Sequence, residues 1–133
     1  MWINDIETAV FSRIKARGSP LKKYFPKIFF TTENETDETV AVFPTVYLEK
    51  LPGMERNKDL ETNRVNTFTF DFQVHVIHNG KKQEVIKIMD NCMETMRKHL
   101  KFDVQVGAEY FKEKGVWKCR ATFRRTIDWN DIL

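Results

Sequence analysis

The segment Val65 to Ile77 alternates without interruption from Thr67 to Val76. Phe68, Phe70, Phe72, Val74 and Val76 fall on one side, and Thr67, Thr69, Asp71, Gln73 and His75 on the other. A period of two marks a β-strand with one dry face and one wet face. At about 3.3 Å per residue it reaches roughly 40 Å, beyond the usual strand. The chain must therefore build a sheet around this element and cover its phenylalanine side.

Two amphipathic helices are available as cover. From Trp2 to about Arg17 the residues Ile3, Ile6, Val10, Phe11 and Ile14 recur at helical spacing, with Asn4 or Asp5 to cap the start and Gly18-Ser19-Pro20 to stop it. After the turn His78-Asn79-Gly80, Lys81 to about Leu100 carries Val85, Met89, Cys92, Met96 and Leu100 three or four apart, with Ile88 and Met93 widening the stripe.

The remaining segments supply strands and connections. Residues 19–27, punctuated by Pro20 and Pro26, read as a connector, and Lys27 to Thr32 as a first strand. The acidic stretch from Glu33 to Glu38 reads as a solvated turn, followed by a second strand from about Thr39 to Lys50. Pro44 removes one ladder donor from that strand, which predicts an edge position or a bulge. Residues 53–64 hold Leu60 among Glu55, Arg56, Lys58, Asp59, Glu61 and Arg64, and read as a long exposed loop. Phe102 to Phe111 and Val116 to Ile127 form a closing hairpin around Lys112-Glu113-Lys114-Gly115. The expectation is a single α+β domain over residues 1–133. It has the order α-β-β-β-α-β-β and a mostly antiparallel sheet of four to five strands, with both helices on one face.

Composition narrows the function classes. Twenty-two basic and 19 acidic residues leave a net charge of +3, well below a concentrated phosphate-binding surface. No apolar run is long enough to span a bilayer. Asn4, Asp5 and Glu7 break the apolar stretch of a signal peptide, so Cys92 and Cys119 are expected to be reduced thiols of a cytosolic product. The five glycines are scattered singly, without a phosphate loop. The histidines His75, His78 and His99 lack metal-ligand spacing. Asp71 and His75 stand roughly 13 Å apart along an extended strand, out of reach of one another. Cys92 lies on the apolar helical stripe and reads as a small buried hydrophobe. No catalytic, cofactor-binding or metal-ligating residue is assigned, and the expectation is a non-enzymatic protein without a cofactor.

Surfaces remain. Lys118, Arg120 and Arg124 alternate on one face of the last strand, with Arg125 nearby. They are suited either to phosphates or to cross-strand pairing with Asp71, Asp103 or Glu109. The phenylalanine ladder suits base stacking, although the helices need that face as core.

Three segments carry a family likeness. Phe43-Pro44-Thr45-Val46-Tyr47 looks like a Pro-containing strand before a long loop. Thr67 to Val76 looks like an alternating strand followed at once by a lysine-started helix, and Phe123-Arg124-Arg125-Thr126 like a closing strand. Together these resemble the tail-terminator, or tail-completion, proteins of long-tailed bacteriophages over nearly the whole chain. The resemblance implies a non-enzymatic virion protein made in the host cytoplasm. It would sit as a hexameric ring of copies at the head-proximal end of the tail, stopping tube polymerisation and docking the head connector. Its implied partners are the tail tube protein and head connector or neck proteins, with DNA passing through the ring and no membrane. Glu55, Arg56, Lys58, Asp59, Leu60, Glu61 and Arg64 are the candidate tube contact. Asp71, Gln73, His75, Lys118, Arg120 and Arg124 are the candidate ring or partner surface. Neck, connector and minor capsid roles are the alternatives, and a nucleic-acid-binding accessory domain is a further one.

Overall fold

The computed structural model describes residues 2–32, 42–51, 54–58 and 65–128. Helix α1 (Trp2–Arg17) leads into a 3-10 turn (Ser19–Lys23), then β1 (Phe29–Thr31), β2 (Thr45–Lys50), β3 (Met54–Lys58) and β4 (Val65–His78). Helix α2 (Lys82–Glu94) runs on into a π-helical turn (Thr95–His99), and β5 (Asp103–Glu113) and β6 (Val116–Asp128) close the chain. Gly18 lets α1 end against the sheet, since a Cβ there would lie 2.5 Å from Phe30 Cζ.

The class is α+β, but the sheet is mixed where a mostly antiparallel one was expected. Among the described residues six strands take part, in the order β1-β2-β4-β6-β5 with β3 appended to β4. The parallel pair is β1–β2, with Phe29 opposite Thr45 and Thr31 opposite Tyr47. A short acidic turn after Thr32 would have made a hairpin. Instead, β2 begins only at Thr45, and the connection from Thr32 to Pro44 has the dozen residues that a parallel crossover requires. The acidic stretch 33–38 lies outside the described residues. Pro44 precedes β2 rather than interrupting it, and its carbonyl accepts the Phe29 N–H at 3.0 Å. β2 is therefore an interior strand, not an edge.

The loop assigned to 53–64 is also corrected. Met54–Lys58 is a strand, antiparallel to the first half of β4, with Met54 opposite Thr69 and Lys58 opposite Val65. β2 pairs only with Phe72 to Ile77 of β4. It leaves the N-terminal half of that long strand with open ladder groups on the same side, and β3 fills them. Glu55 to Lys58 is uniformly polar and shows no apolar alternation, so its composition concealed the strand.

The dry face carries the core. Phe70, Phe72, Val74 and Val76 of β4, Val46 and Leu48 of β2, and Cys119, Ala121 and Phe123 of β6 pack beneath Val85, Ile88, Met89, Cys92 and Met96 of the second helical run and Val10 and Ile14 of α1. Every member of the predicted α2 stripe is in or against this cluster. Phe72 is fully buried and meets Phe102 edge-on at 5.6 Å. Truncating such a ring to Ala costs about 3–5 kcal/mol, so this layer dominates stability.

Candidate interaction surface

The wet face of the sheet is set by register. In β4–β6, Asp71 lies opposite Arg124, Gln73 opposite Thr122 and His75 opposite Arg120. All six residues predicted for a partner surface thus share one face. β2 adds Tyr47 opposite His75 and Glu49 opposite Gln73, and β5 adds Glu109 opposite Arg120 and Phe111 opposite Lys118.

The charges on this face pair laterally. Arg124 donates to both Asp71 oxygens, Nε to Oδ1 at 2.7 Å and Nη2 to Oδ2 at 3.0 Å, the forked geometry that guanidinium and carboxylate favour. That bond holds the Arg124 guanidinium pKa above its ordinary value. Arg120 Nη2 lies 3.6 Å from Glu109, with its guanidinium 5.8 Å from the Phe111 ring centre. Lys118 Nζ lies 3.4 Å from Glu113. Gln73 donates to Thr122 at 3.1 Å, and the hydroxyls of Thr69 and Thr126 are 2.9 Å apart. Cross-strand pairing is thus what the alternating cations of β6 do. Asp103 faces Arg124 in register, but the forked hydrogen bonds of the guanidinium go to Asp71. Arg125 turns to the opposite face, where Nη1 donates to the Leu100 carbonyl at 2.6 Å.

His75 is the most constrained member. Its ring stacks on Tyr47 at 4.1 Å and 3°, and Nε2 lies 3.1 Å from Glu49 Oε1. A neutral imidazole donates through that nitrogen. Burial lowers its pKa below the ordinary value, the Glu49 bond and charge oppose this, and Arg120 adds to the lowering. His78, expected at a surface turn, is instead a buried residue ending β4 on the dry face. It lies 3.4 Å from Glu84, whose carboxylate also accepts the Lys81 N–H.

Apolar side chains stand exposed at the rims of the wet face. Phe111 (39%) and Val106 (45%) are on β5, and Phe29 (47%) is on β1. The eleven-residue strand β5 forms one lateral edge of the sheet, with irregular register between Val104 and Glu109. Such irregularity blunts an open edge.

The predicted tube-contact residues are divided. Glu55, Arg56 and Lys58 lie in β3, whereas Asp59, Leu60, Glu61 and Arg64 lie outside the described residues. The partners that sequence reasoning missed, Tyr47, Glu49, Phe111 and Glu113, follow from strand alternation and from the hairpin turn. Lys114 and Gly115 both take positive φ, 53° and 80°, which makes the loop two residues long and fixes Glu113 opposite Val116.

No nucleophile or metal centre emerges among the described residues. Burial pushes the thiols of Cys92 and Cys119 up to about 12, so both stay protonated and inert. No three His, Cys, Asp or Glu side chains there converge as a metal set. No described helix is long and apolar enough to cross a membrane. Comparison with protein-family models and with curated proteins returns no match.

Proposed function

We propose that this chain is a virion structural protein that closes the head-proximal end of a phage tail tube. It does so as a hexameric ring, ending tube polymerisation and presenting the surface on which the head connector docks. One observation supports the reading beyond sequence likeness: the make-up of the wet sheet face. Its charges are engaged across strands, and its rims expose Phe29, Val106 and Phe111. A surface of paired charges edged by apolar residues suits docking to protein. A ring subunit also needs two different complementary patches, and this face and the opposite helical layer supply them. In this reading the segment 53–64 makes the contact with the tube.

The test is electron microscopy of particles made by a phage with a stop codon in this gene. Filled heads beside unattached, overlong tails are expected. Tails of normal length that fail to join would move the protein to the neck, and intact virions would overturn the reading.

A further inference from the structure

Between Thr8 and Thr32 the sequence has no acidic residue and six basic ones: Arg13, Lys15, Arg17, Lys22, Lys23 and Lys27. All six are exposed, and among the described residues none forms an ion pair. The cations of β6 are spent on neighbours; these are not.

The fold brings three of them, Arg17, Lys22 and Lys23, onto one strip with Lys87. The Arg17 carbonyl, at the end of α1, accepts the Asn91 side-chain amide at 3.3 Å, tying α1 to α2. Lys87 lies one turn before Asn91 on the same side of α2, and its ammonium sits 3.2 Å from the ring centre of Tyr24. Tyr24 directly follows Lys22 and Lys23 and is 64% exposed. The strip therefore runs from Arg17 through Asn91 and Lys87 to Tyr24, Lys23 and Lys22. Helix-dipole compensation applies to Lys15 and Arg17 in the last turn of α1 and to Lys22 and Lys23 at the end of the short 3-10 turn, but not to Lys27 or Lys87.

We infer that this strip binds the sugar-phosphate backbone of double-stranded DNA, independently of base sequence. Lysines, arginines and a tyrosine hydroxyl are donors of the kind that contact phosphates. An elongated row of unpaired cations matches a line of regularly spaced charges better than it matches a compact acidic patch on a protein. The site is distinct from Lys118, Arg120 and Arg124. It does not depend on the tail-closing reading, because the test uses the isolated chain.

The experiment is fluorescence anisotropy of the full chain with a labelled random-sequence duplex across a salt series. With four to six phosphates neutralised, affinity is expected to fall roughly 10²–10³-fold between about 50 and 200 mM salt. The double variant K22E/K23E, its fold checked by circular dichroism, is expected to bind at least about tenfold more weakly with a shallower salt slope. K114E, in the β5–β6 turn, is expected to leave binding within about twofold. Three results would each overturn the inference: no binding at low salt, binding unchanged in K22E/K23E, or equal affinity for polyglutamate, which would make the strip a protein-docking surface.

Discussion

At the scale of single residues, the wet face shows side chains whose roles are decided by the strand next door. His75 is neutral because burial outweighs the Glu49 carboxylate beside it. The unfolded chain, with an ordinary value near 6.5, therefore takes up that proton first. The contribution is fully present above about pH 6.5 and is lost as the pH falls below it. Urea midpoints measured at about pH 7.5 and 5.5 should show this decline, and His75→Gln should flatten it. Much of this site was legible beforehand. Alternation alone placed Asp71, Gln73 and His75 on one face, and Lys118, Arg120 and Arg124 on another. That the two faces are the same one required the β4–β6 register, which no local pattern encodes. His78 was misread for a related reason: a histidine next to Asn-Gly looks like a turn residue, and its burial depends on Phe25, which meets it edge-on at 5.9 Å from a distant segment.

At the scale of elements, strong periodicity made α1, β4, α2 and the β5–β6 hairpin readable, because each buries one face and so writes its period into the sequence. β3 carries no such record: Glu55, Arg56, Asn57 and Lys58 are all polar and leave no alternation to read. Replacing both Glu55 and Arg56 with Pro removes at least one ladder donor, since adjacent strand residues point their N–H groups to opposite sides. Faster amide hydrogen exchange is then expected at residues 65–69, with protection at 72–77, where β2 pairs, unchanged. Equal exchange in both halves of β4 would show that β3 does not protect that strand.

At the scale of the whole molecule, two surfaces of different character emerge on opposite layers. The sheet side presents charges already satisfied, and the helical side presents cations that are not. Only the second should respond steeply to salt if it binds a polyanion. The sheet also has a particular build sequence. Its central pair, β4 and β6, runs from Thr67 opposite Asp128 to His78 opposite Trp117, and everything from Asn79 to Val116 must be looped out before it closes. A fragment of residues 1–115 should therefore lack cooperative unfolding, whereas the full chain unfolds in one transition, as circular dichroism in urea would show. During synthesis the long middle strand emerges from the ribosome well before the strand that flanks it. At the usual 5–20 residues per second, the backbone groups on its β6 side wait a few seconds for their partner. A cell making many copies at once must keep these half-finished sheets from finding one another, so the growing chain is at its most exposed just before its last strand is made.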